Sequence, residues 1–170
     1  MRRVIPLILM VLVLVALAGC GKGNALPATS AVGPTSPEAS YKAAMQAWIA
    51  NDLKNLGSDA LSSIDDPANA TSAELAALQT FSDRIHAALA DLQSIKPSDA
   101  SAQDHAGFVS AFAALVKVTD EFVNAVLTKS ASDLPSIETE MSAASTQIVT
   151  AQTRLATELG LPLPTTDTTG

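Results

Sequence analysis

Cysteine occurs once in the 170 residues, histidine twice, tryptophan and tyrosine once each and phenylalanine four times. A single cysteine excludes an intrachain disulfide and any cysteine-based zinc or iron–sulfur centre within the chain. Two histidines are too few for a di-iron helical bundle, which needs two Glu-x-x-His pairs and two further glutamates facing inward. Basic residues are scarce as well: 10 Lys+Arg stand against 17 Asp+Glu, a net charge of −7. Nucleic-acid binding needs clustered Lys/Arg, so no nucleic acid is expected as a partner. Catalytic signatures are missing too. The chain has no Gly-x-Ser-x-Gly elbow, no Ser-x-x-Lys motif, no Gly-rich phosphate loop behind a strand and no Cys-x-x-Cys-His for haem. The expectation is a protein that is not an enzyme and takes no metal or cofactor.

The long apolar run is confined to the start. Met1-Arg2-Arg3 is basic, Val4 to Ala18 is apolar apart from Pro6, and Leu17-Ala18-Gly19-Cys20 closes the segment. A basic n-region, a short apolar h-region and small residues at its end make a secretory signal. The run falls short of the roughly 20 apolar residues that cross a bilayer. Arg2-Arg3 lacks the surroundings of a twin-arginine signal, so the general secretory route is expected. Leu17-Ala18-Gly19-Cys20 resembles the lipobox of bacterial lipoproteins. The resemblance implies cleavage between Gly19 and Cys20 and diacylglycerol on the Cys20 sulfur. It implies a chain anchored on the extracytoplasmic face of the cell membrane, or on the outer membrane of a two-membrane host. Residues 1–19 contain two arginines and no acid, so 10 less 2 leaves 8 basic against 17 acidic groups, net −9. Anionic headgroups repel such a chain, so lipid and not a basic patch must hold it at the membrane.

Behind Cys20, residues 21–36 hold mostly Gly, Ala, Ser, Thr and Pro. That composition buries too little surface to offset ordering, so a flexible tether is expected over residues 20–36. Such a run spans roughly 20–25 Å. Residues 161–170 read as a disordered tail for the same reason.

Residues 37–160 carry apolar side chains at a period of 3.6. The first stretch, entered at Ser36-Pro37-Glu38, carries Tyr41, Met45, Trp48, Ile49, Leu53 and Leu56. The second places Leu75, Leu78, Phe81, Ile85, Leu89, Leu92 and Ile95 on one face, opened by a Thr71-x-x-Glu74 capping box and stopped by Pro97. A third, over about residues 102–130, presents Phe108, Phe112, Leu115, Thr119, Phe122 and Val126. The last gives Ile137, Met141, Ala144, Ile148, Ala151, Leu155 and Leu159, ended by Gly160. Four amphipathic helices with short connections near 96–101 and 130–133 predict an all-α antiparallel four-helix bundle. Residues 57–70 are expected as a connection.

Within that frame, Asp83-x-x-His86 and Asp104-His105 are the closest approach to a metal-ligand pattern. An antiparallel hairpin spaces the two histidines roughly 7–8 Å along its axis. Both are therefore expected at the surface, binding no shared ion. The paired acids Asp65-Asp66 and Asp120-Glu121 are expected in loops or on outer faces, and Asp120→Ala to change stability by less than about 0.5 kcal/mol. Binding remains as the role. Trp48 and Tyr41, both on the first helix, are candidate contacts for a partner protein of the envelope, which makes the domain an interaction or scaffold module. The alternative is a carrier with an apolar ligand between the helices, lined by Phe108, Phe112 and Phe122.

Overall fold

The computed structural model of the chain describes residues 36–53, 56, 64, 66–130 and 132–160. Gly19, Cys20, the expected signal and tether before residue 36, and the expected tail after residue 160 lie outside them. Among the described residues the structure is all-helical, with four α-helices and no strand.

Helix α1 spans Pro37–Trp48. Its start follows from local chemistry. Ser36 Oγ accepts the Ala39 N–H at 3.1 Å, and Pro37 occupies a first-turn position where a missing N–H is harmless. Tyr41, Met45 and Trp48, spaced four and three residues apart, are buried. The sequence period carries an α-helix on to Leu56, but the chain widens instead into a π-helical turn at Ile49–Leu53. An α continuation would place Asp52, seven residues after Met45, on the buried stripe. The wider turn shifts the phase, leaving Asp52 half-buried and burying Leu53. Desolvation and the nearby Asp91 still raise the Asp52 pKa. A short 3-10 turn at Pro67–Asn69 precedes the second helix.

Helix α2 is Ser72–Ser94 and opens with the expected capping box. The Thr71 N–H donates to Glu74 Oε2 at 2.6 Å and the Glu74 N–H to Thr71 Oγ1 at 3.3 Å. Leu78, Phe81, Ile85, Ala88 and Leu92 face the core, and the helix ends before Pro97.

Helix α3, Ala102–Thr128, is the central element, packed against both α2 and α4. Lys129 caps it in the left-handed region at φ 55°. Helix α4 is Leu134–Leu159, capped by Gly160 at φ 57°, a conformation glycine adopts without Cβ strain. Small residues are buried on both helices, Ala111 and Ala125 on α3 and Ala144, Ser145 and Ala156 on α4. Two hydroxyls enter the core without loss. Thr119 Oγ1 donates to the Leu115 carbonyl at 2.9 Å and Ser145 Oγ to the Met141 carbonyl at 2.7 Å.

Three aromatic residues, one from α1 and two from α3, pack together. Trp48 stands edge-on to Phe108, with centroids 5.8 Å apart, and to Phe112, at 5.4 Å. Its indole Nε1–H donates to the Ala88 carbonyl oxygen at 2.8 Å. These contacts correct one expectation. Trp48 is 3% exposed and Tyr41 1%, so neither offers a surface anchor to a partner. A large ring on a helix with a single apolar stripe is worth more packed than solvated. Among the described residues the exposed large apolar side chains are Leu127 of α3 and Val149 of α4.

Candidate functional site

Polar chemistry collects where the start of α1, the turn between α2 and α3, the start of α3 and the end of α4 come together. The turn Ser98-Asp99-Ala100-Ser101 buries both of its serines. The hydroxyls of Ser98 and Ser101 donate to the Glu38 carboxylate, the Ser101 bond measuring 3.3 Å to Oε2. One helical turn farther along α3 and α1, the Tyr41 hydroxyl and His105 Nδ1 are 3.0 Å apart, with the rings edge to face. His105 is 6% exposed, which corrects the expectation of two surface histidines. It occupies the first turn of α3, three residues ahead of Phe108, and so shares the buried face.

The electrostatics of this corner have identifiable causes. Burial, then the charges of Glu158, Glu38 and Asp104, raise the Tyr41 pKa far above its ordinary value of 10.0. Burial lowers that of the His105 imidazole. The Ser101 hydroxyl favours charged Glu158, but desolvation and the neighbouring Asp104 and Glu38 outweigh it and leave its pKa raised. Lys42 Nζ reaches the Gly160 carbonyl at 3.5 Å, closing α1 against the end of α4.

His86 behaves differently. Half exposed on α2, it bridges to Asp120 of α3 with Nε2 2.9 Å from Oδ2. Buried Ser82 donates to Asp120 Oδ1 at 3.1 Å. Asp120 is thus a partly buried receptor for two α2 side chains, not the free outer-face acid expected from the sequence. A Ser, a His and an Asp meet here, but both bonds end on the carboxylate. A nucleophile relay needs the serine proton on the imidazole, which this arrangement does not provide. Among the described residues, no three His, Cys, Asp or Glu side chains are grouped to hold a metal ion.

The third feature is an open groove of about 490 Å³ between the first half of α3 and the second half of α4. Asp104, Gly107, Ser110, Thr146, Thr150 and Arg154 are among its lining residues. Gly107 shapes it: a Cβ built there meets nothing within 4 Å. Thr146 and Thr150 give their hydroxyl hydrogens to the Ser142 and Thr146 carbonyls, so both hydroxyl donors are already satisfied along α4. The charged and amide groups Asp104, Gln103, Gln147 and Arg154 are what the groove offers to a ligand.

Sequence reading missed Glu38, Ser98, Ser101 and Glu158, and it missed the Tyr41–His105 pair. No periodicity marks them, because contacts 60 to 64 positions apart depend on how α1 is seated. A pair of serines framing a four-residue turn was the available signal.

Comparison of the chain with protein-family models, with curated proteins and with solved structures gave no match. No described helix is long and apolar enough to cross a membrane.

Proposed function

We propose that the chain is an exported lipoprotein, anchored through lipid on Cys20, whose domain is an antiparallel four-helix bundle serving as a non-enzymatic interaction module at the cell envelope. The anchor reading rests on Leu17-Ala18-Gly19-Cys20 and the basic and apolar segments before it. For the bundle, the support is the seating of α3 against both α2 and α4 across connections of a few residues, too short for parallel neighbours. One observation favours an interaction module over a carrier of apolar ligands. Trp48, Phe108 and Phe112 are in mutual ring contact where an apolar ligand would sit. The α3–α4 groove, by contrast, is open, is lined by polar and apolar residues alike and carries both hydrogen-bond donors and acceptors, as a polypeptide segment requires.

Two measurements test this. Cys20→Ala should release the protein from the membrane fraction, and a substituted protein that fractionates like the parent removes the anchor. Photo-crosslinkers placed at Gln103 and Thr150 should give a discrete protein adduct in the native host, whereas one at exposed Ser136 should not. Equal labelling from all three sites, or a co-purifying lipid without any protein adduct, rejects the interaction module in favour of none or of the carrier.

A further inference from the structure

We propose that the Tyr41–His105 contact is an acid-sensitive latch holding α1 against α3, and that protonation of His105 lifts α1 and uncovers the aromatic face beneath Trp48. The geometry carries this. Both side chains are buried, and with the imidazole proton on Nε2 the Tyr41 O–H donates to Nδ1 across 3.0 Å. Protonation makes Nδ1 a donor, so the Tyr41 hydrogen loses its acceptor while a full charge is placed in a site sheltered from water. A tyrosine that is itself held protonated does not relieve the conflict by ionising.

Among the described residues no carboxylate forms a hydrogen bond or ion pair with the imidazole, whose one polar side-chain partner is Tyr41. From α1 come Tyr41 and Glu38, the latter already bound by Ser98 and Ser101 of the turn. Asp104 comes from α3 and Glu158 from α4, and their charges, with that of Glu38, act on Tyr41. For His105, burial is the cause of the shift, and it favours the neutral ring. Lys42 is engaged with the Gly160 carbonyl, and Lys96 just past α2 is exposed.

Helix α1 is the element such a conflict would move. Close backbone approach is concentrated in the α3–α4 and α2–α3 pairs, and α1 is held chiefly by large side chains. Helices with fewer packed neighbours open at lower free energy than the global transition.

The single tryptophan lies on α1 and reports its seating directly. The test follows Trp48 emission of the full chain from about pH 8 to about pH 5, the window in which histidine titrates. In parallel, nuclear magnetic resonance follows the His105 ring protons. The expected result is a reversible red shift of Trp48 emission that coincides with His105 titration, at a pH below the ordinary histidine value of 6.5, with helical circular dichroism retained. His105→Gln, whose amide oxygen accepts from Tyr41 without titrating, should abolish the shift, and His86→Gln should keep it. An unchanged emission while His105 titrates overturns the latch, and this arm stands even if His105→Gln fails to fold. A red shift that persists in folded His105→Gln also overturns it and assigns the transition to the carboxylates.

Discussion

The Trp48 indole donates to the Ala88 carbonyl oxygen across 2.8 Å, linking α1 to the second half of α2 over 40 positions of sequence. That carbonyl lies inside a helix, so the indole adds a second bond to an oxygen already serving the backbone ladder. The bond fixes the ring's rotation, and the rotation sets its edge-on approach to Phe108 and Phe112. One side chain therefore seats α1 on two helices at once.

Trp48→Ala should accordingly destabilise the domain by about 3–5 kcal/mol, as large-to-small changes of buried aromatics do. Phe112→Ala, a few ångströms away, should cost about as much. The two are in ring contact, so the double variant should lose less than the two single losses together, by about 0.5–1.5 kcal/mol. Urea unfolding at constant m-value measures all three. Full additivity would show that the rings do not share a packing site.

Asp120→Ala should cost about 1 kcal/mol, more than an outer-face acid would. The loss has two sources of unequal weight. The His86 pair is half exposed and worth little, whereas buried Ser82 loses its acceptor. Adding Ser82→Ala should therefore recover most of the loss, while adding His86→Ala should not. Chemical denaturation of the two double variants separates these contributions.

The start of α2 carries its own pH signature. Thr71, through its side chain and then its backbone N–H, holds the Glu74 pKa below the ordinary value of 4.5. A carboxylate depressed in the folded state contributes stability that is present above its unfolded pKa and is lost as pH falls through the folded one. Thr71→Ala removes the N-cap hydroxyl, a change that typically costs about 1 kcal/mol at neutral pH. Its deficit relative to the parent should shrink as pH drops from about 4.5, as thermal melts at a series of pH values would record. A deficit that stays constant down to the acid limit would mean that the cap acts without the Glu74 charge.

Local signals in the sequence account for much of the helical framework. The capping box at Thr71, the proline stop at Pro97 and the glycine end at Gly160 each act within one turn, so residue type alone places them. The stripe through Phe108, Phe112 and Phe122 is likewise local, since a period of 3.6 decides which face is buried. What escaped depends on seating. Whether Trp48 and Tyr41 point outward or inward is set by how α1 meets α2 and α3, and the sequence of α1 alone fits both. The π turn at Ile49–Leu53 escaped because the α period there differs from the observed one by a single residue. For His105 the hairpin spacing from His86 says nothing of burial, and for both His105 and Asp120 the deciding partners, Tyr41 and Ser82, lie on other helices.

Gly107 gives the sharpest separation between stability and binding. It sits in the interior of α3, where glycine is less favourable than alanine by about 0.8–1.0 kcal/mol because the unfolded chain keeps more freedom. Its backbone needs no left-handed conformation, and a Cβ there meets no atom within 4 Å. Gly107→Ala should therefore raise stability by roughly 0.5–1 kcal/mol, measured as a higher denaturation midpoint at unchanged m-value. Gly107→Gln tests the groove itself. Its side chain projects into the space lined by Ser110, Thr150 and Arg154, and glutamine is a good helix former, so the fold should survive. If the α3–α4 groove receives a polypeptide, Gly107→Gln should abolish crosslinking from Thr150 while leaving the denaturation midpoint at or above that of the parent. Crosslinking that survives a filled groove would move the contact to another face of the bundle.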